Sequence, residues 1–150
     1  MPKIETPLAP VYEGEMEAKL FEGAPERERN IIRTDQDWGV TVEWEMEGIL
    51  ALFLNEEFRL RFFLESIGPG SEYSLPVAGP VTVGSLTGTL DPVGPSRSYT
   101  ETITIDHTLT PIDPGTYKLT LTLQVFDTSS GSPYPIAGFV EGPIVQFYEV

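Results

Sequence analysis

Between Gly115 and Val125 the chain alternates strictly: Tyr117, Leu119, Leu121, Leu123 and Val125 are apolar, and the residues between them are polar. A period of two over this length predicts a β-strand buried on one face. The same pattern recurs at Trp38, Val40, Val42, Trp44 and Met46, whose intervening residues Glu43, Glu45 and Glu47 make the other face acidic, with Gly48 at the end. It recurs again at Phe58, Leu60, Phe62 and Leu64, and in a β-branched form at Tyr99, Ile103 and Ile105. Weaker alternation marks an edge strand at Met16, Ala18 and Leu20, short glycine-interrupted pieces between Val81 and Leu90, and a last strand from about Pro143 to Val150. The apolar run Ile49 to Leu54 fits either a buried strand or a helical turn, and we read it as a loop with one helical turn; register stays open there and over residues 75–92. About seven strands with no long helical period predict an all-β antiparallel sandwich over residues 15–150, preceded by a Glu- and Pro-rich tail over residues 1–14.

The turn Asp113-Pro114-Gly115, followed by Thr116 and Tyr117 ahead of the apolar ladder, resembles the tyrosine corner of immunoglobulin-like sandwiches. Trp44 in an alternating strand and a final strand after a polar loop add to the resemblance. Leu119 stands where antibody domains place their second cysteine, and the chain has no cysteine at all. The resemblance implies an immunoglobulin-like fold without the inter-sheet disulfide, and no particular activity. Leu64–Gly70 and Ala137–Pro143 also resemble segments of uncharacterised bacterial proteins.

Composition narrows the partners. A net charge of −14 opposes binding to nucleic acid phosphates and to anionic membrane surfaces. No apolar stretch reaches the roughly 18 residues a spanning helix needs, and the start has no signal-like run, so a cytoplasmic setting is the default expectation. Without thiols, and with His107 as the only histidine, transition-metal sites and cysteine nucleophiles are excluded.

Catalytic chemistry finds little footing. His107 follows Asp106, but neighbours in a strand point to opposite faces, so Asp106 cannot readily orient it, and no Gly-x-Ser-x-Gly elbow is present. Glu43, Glu45 and Glu47 are spaced roughly 7 Å apart, near glycosidase spacing, yet a flat exposed sheet offers neither burial nor a substrate pocket. No catalytic residue, metal or cofactor is therefore expected.

Strands C, F and G of an immunoglobulin-like sheet are neighbours, which gathers Arg59, Arg61 and Phe63, then Lys118, Thr120, Thr122, Gln124 and Phe126, then Tyr148, on one outer surface. Arginine and aromatics are enriched at interface centres. The expected function is a non-enzymatic interaction module, self-associating through Arg59, Arg61, Phe63, Phe126 and Tyr148. The alternative is a ligand-binding module. It would hold calcium at turn residues Asp35, Asp37 and Asp113, or carbohydrate at Tyr134 and Phe139 beside Glu141 on a loop before the last strand.

Overall fold

The computed structural model describes residues 2–9 and 11–150. Eleven strands follow in order: β1 (Lys3–Ile4), β2 (Glu13–Glu22), β3 (Ile31–Arg33), β4 (Trp38–Glu47), β5 (Glu57–Ser66), β6 (Tyr73–Leu75), β7 (Val81–Gly84), β8 (Thr89–Asp91), β9 (Ser96–Ile105), β10 (Gly115–Phe126) and β11 (Pro133–Tyr148). They form two sheets, one ordered β1-β2-β4-β9-β8 and the other β3-β11-β10-β5-β6, with β7 also paired to β5. Every pairing is antiparallel except β3 with β11. The molecule is all-β, as the alternation predicts, and Ile49–Leu52 forms a single 3₁₀ turn. Among the described residues no helix is long and apolar enough to cross a membrane.

The central strands carry the core. Trp38, Val40, Val42, Trp44 and Met46 of β4, and Tyr117, Leu119, Leu121, Leu123 and Val125 of β10, are all buried. Aromatic rings cross between the layers: Trp38 meets Phe62 and Phe147 edge-on at centroid distances of 5.8 and 5.1 Å, and Trp44 meets Phe58 at 5.4 Å while stacking on Tyr99 at 4.9 Å. Each such side chain contributes about 1.5–3 kcal/mol by leaving water. Gly39 is required within β4, because a Cβ there would fall 2.1 Å from the Ile103 carbonyl oxygen and 2.5 Å from the Phe21 ring.

At the edge of this core the Arg97 guanidinium is buried without a carboxylate. Its Nε donates to the Ala51 carbonyl (2.8 Å), Nη1 to those of Leu86 and Gly88 (3.0 Å each) and Nη2 to that of Leu52 (3.3 Å). One rigid fork of donors thus satisfies the last carbonyls of the 3₁₀ turn and ties them to the turn after β7.

Three expectations are corrected. The count of about seven strands becomes eleven, because β1, β3 and β6 span two or three residues each, too few to show a period, and the expected glycine-interrupted stretch from Val81 to Leu90 divides into two strands, β7 and β8. The expected tail is held down: β1 pairs with β2, Ile4 and Tyr12 are buried, and Glu5 exchanges two backbone hydrogen bonds with Ala137 (2.7 and 3.0 Å). The last strand begins at Pro133, ten residues early. There Ile136, Gly138 and Val140 face inward, but an extra residue between Glu141 and Ile144 reverses the phase, so that Val145 and Phe147 face inward afterwards. A bulge of this kind hides a strand from any single period-two reading.

The Tyr117 hydroxyl donates to the Asp113 carbonyl at 2.7 Å, closing the turn into β10. Burial is the main cause that pushes its pKa up to about 12, so it stays a donor at all ordinary pH. Tyr117→Phe is expected to lose about 1–3 kcal/mol of unfolding free energy in urea titrations. A loss under about 0.3 kcal/mol would make Tyr117 a packing residue only.

Candidate functional site

The outer face of the second sheet assembles from β5, β10 and β11. Register sets Phe139, Thr122 and Arg61 in one row, Glu141, Thr120 and Phe63 in the next, and Ile144, Lys118 and Glu65 in a third. Arg59, Arg61, Phe63 and Phe126 surround a shallow depression of about 410 Å³ that Pro80, Thr122 and Gln124 complete. The Arg59 guanidinium lies 3.8 Å above the Phe126 ring and 2.6 Å from the Glu57 carboxylate, so both its face and its edge are engaged. Arg61 donates one bond, to the Ser74 hydroxyl at 3.1 Å, and has no carboxylate partner among the described residues. Lys118 and Glu141 pair across the strands at 3.0 Å.

Four of the five residues expected at an interface therefore come together. The fifth, Tyr148, lies beside Arg33 at the far end of β11 and takes no part in the depression. The sequence reading did not place Phe139 and Ile144 on this face, where they are outward on β11 and half exposed. Their signal was present as two large apolar residues, but the bulge obscured which face they share.

The first sheet presents the opposite character. β2 and β4 set Glu13 against Glu47, Glu15 against Glu45 and Glu17 against Glu43, three successive cross-strand pairs of like charge. Such pairs are destabilising by up to about 1 kcal/mol each, less than one buried core side chain contributes, so the sheet tolerates them. The N-terminal segment leaves an open groove of about 670 Å³ beside them, lined by Lys3, Glu5, Glu13, Glu15, Glu45 and Glu47. The Glu47 pKa is raised, first by a side-chain hydrogen bond with Glu45, then by desolvation and by the charges of Glu45 and Glu15, with Lys3 opposing. These carboxyls lie in the open, without the desolvated pocket a general acid needs.

The turn aspartates are engaged separately. Asp35 forks onto Arg33 (2.9 and 2.7 Å), and Asp113 accepts from the Ser71 hydroxyl (3.2 Å). Asp37 accepts from the His107 backbone N–H (3.0 Å) and pairs with the ring Nδ1 (2.6 Å). The group that does converge is Asp37, Asp106 and His107, with ligating atoms within 4.8 Å. The structure thus supplies an orienting carboxylate for His107 that the sequence could not, seventy residues away on the β3–β4 turn. The His107 hydrogen bonds lower the Asp37 pKa. Among the described residues no hydroxyl bonds the other ring nitrogen. The expected sugar-binding loop is corrected as well: Tyr134 and Phe139 both lie in β11, where the Tyr134 hydroxyl reaches Glu56 at 3.3 Å and Phe139 faces Thr122.

No family model matches the chain, and no curated protein matches it. Among solved structures it is similar to a protein of Bordetella pertussis provisionally assigned as ApaA, at 13% identity over 91% of this chain and 94% of that one, with a TM-score of 0.38. It is also similar to a structural-genomics target, SoR45, at 11% identity over 91% of this chain and 86% of that one, with a TM-score of 0.34. At these scores neither likeness bears on fold or function.

The acidic rungs generate a pH prediction. A carboxyl whose folded pKa lies above its unfolded value takes up protons on folding, so its stabilising contribution is full below the unfolded pKa and is lost as pH rises through the folded one. Glu47→Gln is therefore expected to raise Tm at pH 7, and the gain should shrink as pH falls toward about 4. A gain equal at both pH values, or none at pH 7, would contradict repulsion at this rung.

Proposed function

We propose that this chain is a non-enzymatic protein-interaction module of immunoglobulin-like type that pairs with a second copy of itself through the outer face of its β5-β10-β11 sheet. The fold reading is supported by strand order. With β2, β4, β9 and β8 lettered A, B, E and D, and β11, β10, β5 and β6 lettered G, F, C and C′, the two sheets read A-B-E-D and G-F-C-C′. The parallel pairing of β3 with β11 and the hydroxyl bond from Tyr117 to Asp113 support it further.

One observation carries the functional reading: the two outer faces differ in whether they could meet their own copy. The β2-β4 face bears six glutamates in facing pairs and would repel itself. The β5-β10-β11 face interleaves Arg59, Arg61 and Lys118 with Glu57, Glu65 and Glu141, and adds Phe63, Phe126, Phe139 and Ile144. A two-fold axis brings a patch onto itself, so it demands this mixture of signs around apolar contacts. Arg61, the cation of this face with no carboxylate partner among the described residues, is the residue with donors to offer.

Sedimentation equilibrium tests the pairing. The wild type is expected to dimerise at micromolar to millimolar concentration, Arg61→Glu to weaken dimerisation on the order of tenfold or more, and Glu43→Gln on the opposite face to leave it unchanged. A wild type that stays monomeric throughout that range, or an Arg61→Glu protein that associates equally well, would end the proposal.

A further inference from the structure

We infer that the end of the molecule where β4 passes to β5 is a second docking surface, built for a basic amphipathic segment of a partner protein; it lies apart from the sheet face described above and does not depend on that reading. Three chain segments meet there. The Leu50 N–H donates to the Val11 carbonyl at 3.1 Å, joining the N-terminal turn to the 3₁₀ turn, and Arg97 draws the carbonyls of Ala51 and Leu52 toward those of Leu86 and Gly88. The backbone is thus pinned while four large apolar side chains on it stay in water: Val11 (44% exposed), Ile49 (54%), Phe53 (61%) and Leu86 (41%). Scattered exposed apolar residues need no explanation, but a group on adjoining, mutually bonded turns marks an interaction site.

The rim decides what can cover it. Across the last row of the first sheet the register places Asp91, Ser96, Glu47 and Glu13 side by side. Ahead of β5 comes Glu56, which is bonded to the Thr128 N–H at 2.8 Å. Of the cations at this end, Arg97 is buried among carbonyls and Arg59 is paired with Glu57, while Lys3 stands at the margin of the row near Glu13 and Glu47 and offsets only part of its charge. An apolar centre bordered by acidic residues repels a second copy of itself and an anionic bilayer. It complements a segment carrying apolar side chains on one side and lysine or arginine around them.

A synthetic leucine–lysine amphipathic peptide of about 18 residues serves as probe, beside a scrambled-order version and a version with glutamate for lysine. Isothermal titration is expected to give micromolar binding of the first peptide alone, weakened on the order of tenfold by Phe53→Glu and by Ile49→Glu, and unchanged by Glu43→Gln on the glutamate face. Both apolar positions are exposed, so the two variants should keep the wild-type circular dichroism and Tm, separating lost binding from lost folding. Equal binding of the scrambled peptide, or undiminished binding by Phe53→Glu, would reduce the effect to nonspecific charge and overturn the inference. So would absence of binding, or preferential adsorption to phosphatidylcholine vesicles, which would assign this end to a bilayer.

Discussion

The aromatic contacts that run from one sheet to the other are the constraint on which the rest of the molecule depends. Trp38 and Trp44 sit six residues apart on β4, on its inward face, and each reaches rings of the opposite sheet. Phe58 touches both Trp44 and Tyr99, and Phe147 touches both Trp38 and Tyr117, so two aromatic groups close the layers at separate points along the strands. With no disulfide available, these contacts and the aliphatic residues between them hold the sheets in register. Both indole N–H groups are buried with no acceptor among the described residues, a cost of about 1–3 kcal/mol each that the surrounding ring and aliphatic burial must exceed.

Fixing the inward residues fixes the outward ones, because a strand offers no third direction. The same alternation that buries Val40, Val42 and Trp44 obliges Glu43, Glu45 and Glu47 to share the opposite face, where β2 meets them with three more glutamates. Likewise, burying Leu60 and Phe62 turns Arg59, Arg61 and Phe63 outward. The two surfaces that distinguish this protein, one predominantly acidic and one mixed, are therefore consequences of one packing choice. The ends escape this rule, since turns are set by local bonds such as those of Arg97, and there apolar side chains can stand in water.

Long strands were legible because ten residues of alternation outweigh local noise, and β4, β5, β9 and β10 all read correctly from their own side chains. The Tyr117 bond was legible too, from an Asp-Pro-Gly turn set just ahead of an inward tyrosine. The rest was hidden for physical reasons. β1 owes its place to pairing with β2 and to the Glu5 bridge to Ala137, neither of which leaves a local pattern. The bulge between Glu141 and Ile144 inverts phase in mid-strand, which concealed Phe139 and Ile144 as members of the mixed face. The pairing of His107 with Asp37 joins residues seventy positions apart, and only topology brings them together. The long reach of Arg97 to four carbonyls is invisible for the same reason.

Native-state hydrogen exchange tests the closed two-layer core most directly. Both β4 and β10 are bonded on each side, so amides at Val40, Val42, Trp44, Leu119, Leu121 and Leu123 should exchange only through global unfolding, all with one common free energy, while those of β8 exchange much faster. If the amides of β4 and β10 opened with clearly different free energies, or exchanged as fast as turn amides, the sheets would not be joined by a shared core, and the assignment of outer faces would be wrong.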